Sequence, residues 1–178
     1  MPKASHIERT YEGLCRSLEQ PMKALAARLT GSPSAAEDIF QEAVLRVWQE
    51  LPRVTNVRAY FARVVTNLSF GDWRSRQRER VARDLSPEDL ASSEEDPNGD
   101  LGEVLGPTLR KVLAGLPPQQ GEAVVLRYFE ELGYPEIGGL LGCTAATARS
   151  HVSKGMAALK TALRRLPEFR RLCREEEQ

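Results

Sequence analysis

The sequence predicts an all-α protein of two small helical domains joined by a flexible acidic linker. Three observations carry that expectation. Apolar residues recur at three- and four-residue spacing along most of the chain, and no stretch alternates apolar and polar residues as a half-buried strand would. Glycine and proline punctuate the helical stretches at Gly31-Ser32-Pro33, Leu51-Pro52 and Leu116-Pro117-Pro118. Residues 84–106 hold eight acidic residues, no basic or aromatic residue and no sustained apolar period. Such a composition cannot bury enough apolar surface to offset its ordering entropy, and its charge keeps it extended.

The first domain spans residues 5–83. Leu14, Leu18, Met22, Leu25, Ala26 and Leu29 repeat at helical spacing, and Gly31-Ser32-Pro33 ends that helix. Ser34, with Glu37 three residues on, forms a capping-box pattern for the next helix. That helix carries Ile39, Phe40, Ala43, Val44, Val47 and Trp48 on one broad face, and Leu51-Pro52 stops it. Tyr60, Phe61, Val64, Val65, Leu68 and Trp73 mark a third helix. The second domain, residues 107–166, shows four helix patterns. The first is 107–114; the second follows Pro117-Pro118 and carries Ala123, Val124, Leu126, Tyr128 and Phe129. The last two are short and separated by Gly142, which suits the left-handed turn between them, and Pro135 lies in the first turn of the earlier one, where a missing N–H does no harm. The tail, residues 167–178, is assigned no role.

The 178 residues have a formal net charge of zero, which hides the local pattern. Residues 53–83 carry eight basic against two acidic side chains, and residues 107–166 carry eight against four. Two basic blocks therefore flank the acidic linker, the electrostatic footprint expected of a nucleic-acid partner. Cys15, Cys143 and Cys173 are odd in number and far apart, with only His6 and His151 for company, so neither a disulfide framework nor a metal site is expected. No cofactor is expected either. No apolar run approaches the ~18 residues of a membrane span, and the N-terminus lacks a signal-peptide core. A cytoplasmic protein without membrane insertion is the expectation.

The sharpest motif lies between Leu132 and Lys154. It reads as two short helices with a tight turn, with Gly138, Gly139 and Ala145 as small residues at their crossing. In the second helix Ala148, Val152 and Met156 fall inward. Thr147, Arg149, Ser150, His151, Ser153 and Lys154 face outward, side chains that can reach base edges and phosphates in a DNA major groove. Glycine-turned helix pairs also occur in all-α proteins that bind no DNA; the polar run is what favours DNA here.

A second basic feature runs from Arg74 through Arg76, Arg78 and Arg80 to Arg83, after a helix bearing Tyr60, Phe61, Asn67 and Trp73. Arginines neutralise phosphate, aromatic faces stack on unpaired bases, and an amide such as Asn67 can read a base edge. Phe61 reads better as a core residue, whereas the arginine run is too unbalanced for a merely solvated helix end. Glu37, Asp38, Gln41 and Glu42 share the face opposite the apolar stripe of their helix, a pattern that composition alone does not separate from a solvated surface. There is no phosphate-binding glycine loop, nucleophile elbow or zinc-protease motif, and the paired carboxylates lie mainly in the linker, so an enzyme is not expected.

Taken together, the stretches 34–49 (SAAEDIFQEAVLRVWQ), 59–78 (AYFARVVTNLSFGDWRSRQR) and 113–163, from Leu113 to Leu163, resemble the bacterial RNA polymerase sigma factors of the extracytoplasmic-function type, which retain only the regions called two and four. The resemblance covers about residues 10–83 and 107–166. It implies core RNA polymerase and promoter DNA as partners, and an anti-sigma factor as inhibitor. It implies that Asp38, Gln41, Glu42 and Arg46 dock on the clamp helices of the polymerase. It implies that Thr55, Asn56, Arg58, Arg63 and Asn67, followed by Arg74 and Arg76, capture the melted −10 element, with Asn67 at a flipped base. It implies that region four reads the −35 duplex through Thr147, Arg149, Ser150, His151, Ser153 and Lys154, with Arg127 on a phosphate. The chain departs from the family's pattern in places. His151 and Lys154 stand where arginine is usual, Gly71 and Gly121 replace polar or charged residues, and Gly138 replaces an alanine, which is expected to loosen its helix slightly. Two other readings stay open: a stand-alone helix-turn-helix regulator of duplex DNA, and an interaction protein that mimics a sigma factor to sequester its inhibitor.

Overall fold

The computed structural model describes residues 3–82 and 101–165; the expected linker residues 84–100, Arg83, Leu166 and the tail 167–178 lie outside the described residues. Seven α-helices follow one another: α1 (Lys3–Thr30), α2 (Pro33–Glu50), α3 (Val57–Ala82), α4 (Leu101–Gly115), α5 (Pro118–Tyr128), α6 (Tyr134–Leu141) and α7 (Ala145–Leu163), with a 3₁₀ turn at Leu51–Arg53 and no strand among the described residues. The chain forms two compact units, Met1–Ser69 and Phe70–Gln178, so the division falls inside the continuous helix α3.

In the first unit α1 packs on α2, and Leu18, Met22, Leu25, Ala26 and Leu29 of α1, Ile39, Phe40, Ala43 and Val47 of α2, and Phe61, Ala62 and Val65 of α3 are all buried. The rings of Phe40 and Phe61 stack with centroids 5.6 Å apart, which makes Phe61 the core residue its pattern suggested. Lys23 ties α1 to α2: its Nζ lies 2.6 Å from Glu19 Oε1 and 2.6 Å from Glu37 Oε2. The Tyr11 hydroxyl donates to the Val44 carbonyl over 2.6 Å, and burial, then its contact with the Cys15 thiol, hold it above its ordinary pKa and so keep it a donor.

Several boundaries differ from the expectation. The cap of α2 is Ser32, not Ser34: its side chain accepts from the Ala35 N–H over 3.2 Å. Pro33 occupies the first helical position, where its fixed φ favours a helix start, so the capping residue must precede it. Glu37 is thereby released to pair with Lys23. Helix α4 begins at Leu101, ahead of Pro107, so residues 101–106 are helix and not linker. Trp48 is 38% exposed and Tyr128 57% exposed, neither belonging to the core.

In the second unit, α5 is buried almost all round, from Gly121 to Leu126. Helix α7 packs on it through Ala148, Val152, Gly155 and Leu159. Met156, expected to face inward, is 37% exposed and lines an apolar groove with Leu109, Leu113, Tyr128, Phe129 and Leu163.

Candidate nucleic-acid interface

The helix-turn-helix is fixed at each joint by a different device. Helix α6 starts after Gly133, whose N–H donates to Glu136 Oε2 over 2.9 Å, and Pro135 sits in the first turn. It ends at Gly142, whose φ of 67° is the left-handed conformation that favours glycine. Two residues later Thr144 caps α7, its Oγ1 accepting from the Thr147 N–H over 3.1 Å. The crossing is tight on one side only. A Cβ on Gly138 would lie 2.7 Å from the Cys143 carbonyl oxygen, whereas one on Gly139 would meet nothing. An alanine at position 138 would therefore force the backbone at Cys143 and Thr144 to shift, and Gly139 has no part in the crossing.

Helix α7 presents its polar residues as anticipated. Ala148 and Val152 anchor it inward, and Thr147, Arg149, Ser150, Ser153 and Lys154 are exposed while His151 is half-buried. Thr147 is also engaged locally, its hydroxyl 2.9 Å from that of Thr144. Nineteen residues of α7 give a rod of about 28 Å, long enough to lie in a major groove about 12 Å wide with one polar face toward the bases. Arg127, at the end of α5, is half-buried and donates through Nη1 to the Leu132 carbonyl over 2.9 Å. Its guanidinium also stacks on the Tyr134 ring, 5.1 Å from the centroid, and Arg149 stacks on the same ring at 4.9 Å. Tyr134 was missed by sequence reasoning; no periodicity or motif signals a ring shared by residues 7 positions before and 15 after it. The turn that delivers it contains Glu131, the one non-glycine residue with positive φ among the described residues, at 55°.

On α2, Asp38, Gln41 and Glu42 are exposed along one face, with Leu45 beside them at 65% exposure. Arg46 pairs with Glu42 one turn back, and Gln41 donates to Glu37 Oε1 over 3.3 Å. Thr55 and Asn56 just ahead of α3 and Arg58 in its first turn are exposed, but the Asn56 side chain already accepts the Ala59 N–H over 3.1 Å and so caps the helix. Arg63 is half-buried and Asn67 exposed, one helical turn apart on the same face. Arg58 and Arg63 each make interactions within the protein.

Farther along α3, in the second unit, the arginine run divides. Arg74 is half-buried and donates through Nε to the Ala114 carbonyl over 3.0 Å. One of its donors is thus engaged by backbone, while the guanidinium keeps its charge and its Nη2 has no hydrogen-bond partner within the protein. Arg76 is exposed and pairs with Asp72 one turn back, at 3.0 Å.

The Sigma-70 region 2 family matches residues 14–79, and the Sigma-70 region 4 family matches residues 108–159. The RNA polymerase sigma-E factor of Streptomyces coelicolor is 30% identical over 170 residues, covering 93% of each chain. The chain belongs to the extracytoplasmic-function family of RNA polymerase sigma factors. The ECF sigma factor SigE of Mycolicibacterium smegmatis is 34% identical over 160 residues; the alignment covers 86% of this chain and 62% of that relative. The sigma factor RpoE of Bartonella quintana, solved in complex with the anti-sigma factor NepR, shares the fold with a TM-score of 0.56 and 21% identity, over 88% of this chain and 98% of that one. No helix among the described residues is long and apolar enough to cross a membrane.

Proposed function

We propose that this sigma factor performs its promoter-specific task through three separate faces. The exposed face of α2, Asp38, Gln41 and Glu42 with Arg46, docks on core RNA polymerase. Thr55 and Asn56 just ahead of α3, with Arg58, Arg63 and Asn67 along its start and Arg74 and Arg76 farther on, capture the melted −10 strand. Extruding a base costs a few kcal/mol of stacking and pairing, which a pocket at Asn67 and backbone-binding arginines must offset. Helix α7 reads the −35 duplex through Arg149, Ser150, Ser153 and Lys154, with Thr147 and His151 at its margins and Arg127 near a phosphate. The chain supplies recognition and strand capture in the cytoplasm, and the polymerase supplies the chemistry. An anti-sigma partner holds it in reserve, as in the complex solved for the Bartonella relative.

The observation that carries this reading is the order of parts: an exposed acidic face within the matched region two, then an exposed polar reading helix within the matched region four. Open-complex formation with cognate core polymerase tests it. Asn67→Ala is expected to reduce strand opening, read by permanganate reactivity of unpaired thymines, at unchanged polymerase affinity. Asp38→Ala with Gln41→Ala is expected to weaken polymerase affinity about tenfold, the equivalent of ~1.4 kcal/mol. A holoenzyme that opens no promoter selected from the host genome would sink the reading.

A further inference from the structure

We propose that Tyr134 is a positioning residue for Arg149, holding the arginine in the orientation from which it meets its base. This rests on the reading of α7 as the groove-reading helix. Three elements converge on the one ring: Arg127 from the last turn of α5, Tyr134 from the first turn of α6 and Arg149 from the second turn of α7. Both guanidinium carbons lie about 5 Å from the ring centroid, at 5.1 Å and 4.9 Å, within the reach of a cation–π attraction. The two arginines differ in what else holds them. Arg127 is pinned at its far end by the Leu132 carbonyl. Arg149 is exposed, and the Tyr134 ring is what restrains it.

That difference assigns the roles. A free arginine side chain loses much rotamer freedom when its planar fork docks on a guanine edge. A ring that already holds the guanidinium removes part of that loss before DNA arrives, the usual gain from pre-organisation. The like charge of Arg127, fixed on the same ring, opposes any drift of Arg149 toward α5. The ring is half-buried and seated by the capped start of α6, so it is a fixed platform and not a mobile partner. Exposed cation–π contacts correspond to a factor of about two to five in an equilibrium constant.

The test uses the full chain and duplexes selected from a randomised pool. Arg149→Ala first identifies the base pair at which discrimination is lost. Tyr134→Leu, which keeps apolar bulk and removes the ring, is expected to lower the preference at that base pair about two- to fivefold and to leave the other positions and the salt dependence unchanged. Tyr134→Phe is expected to keep the preference. Full preference in the leucine variant, or equal loss in both variants, overturns the proposal. A uniform loss at all positions also overturns it, since that marks a merely structural role. A second measurement needs no DNA: the Arg149 side-chain protons are expected to show ring-current shifts in the free wild-type protein and in Tyr134→Phe. Absence of those shifts in the wild type overturns the stacking. Should no duplex be preferred by the wild type while the shifts are present, the groove-reading assignment fails and the proposal with it.

Discussion

Helix α7 and the start of α3 carry similar polar residues and use them differently. On α7 the capping is done by Thr144, which lies ahead of the reading face, so Arg149, Ser150, Ser153 and Lys154 are left exposed with no backbone to satisfy. At α3 the residue expected to touch DNA, Asn56, is itself the cap. A residue type suited to a nucleic acid is equally suited to an orphan N–H. What decides between them is whether a neighbour has already taken the local task.

The contrast can be broken at its rigid end first. Gly138→Ala is expected to destabilise the second unit by ~1–3 kcal/mol, since its Cβ would meet backbone that cannot swing aside. Gly139→Ala, one residue on and facing open space, is expected to stabilise by ~0.5–1 kcal/mol. Thermal denaturation of both variants checks this; similar melting temperatures would show that α6 and α7 do not depend on that close approach. At the other end, Asn56→Ala is expected to cost ~1 kcal/mol, and Asn56→Asp, which can still cap, close to nothing. An alanine variant as stable as the wild type would return Asn56 entirely to DNA.

The smallest effect is a pH dependence of the α1–α2 tie. Hydrogen bonds donated by Lys23 to Glu19, then to Glu37, raise the pKa of Lys23, and the bond Glu37 accepts from Lys23, then that from Gln41, lowers that of Glu37. The stabilisation linked to Glu37 is therefore present above its unfolded pKa and lost as pH falls through the lowered folded value. That linked to Lys23 is present below its unfolded pKa and lost as pH rises through the raised folded one. Between those limits the gap in melting temperature between wild type and Lys23→Met is expected to be constant, and to close in acid. A gap unchanged down to strongly acid pH would remove Glu37 from the account.

The fold was legible where burial sets the period. The apolar stripes of α1, α2 and α7 fall on the core largely as their spacing requires, because a 3.6-residue repeat has one way to bury itself. Ends were less legible. Two serines, Ser32 and Ser34, compete for one cap, and only the proline between them decides it. Pro107 looks like a helix start and lies inside α4. The candidate site was legible as a set of side chains on α7 and α2. What could not be read was which of them already have partners: Arg74 meets a carbonyl 40 residues away, and Tyr134 joins two arginines from different helices. Such contacts arise from tertiary structure and leave no mark in local spacing.

The inward turn of Arg74 has a consequence for counterions. Each phosphate neutralised on binding releases condensed cations, so the logarithm of the binding constant falls with that of salt concentration by roughly 0.7–0.9 per contact. Arg74 keeps its charge while its Nε holds the neutral Ala114 carbonyl, so it adds to that slope only where its Nη groups reach a phosphate from that fixed position. The salt slope of promoter binding, compared between wild type and Arg74→Gln, therefore reports whether a tethered arginine still releases a counterion.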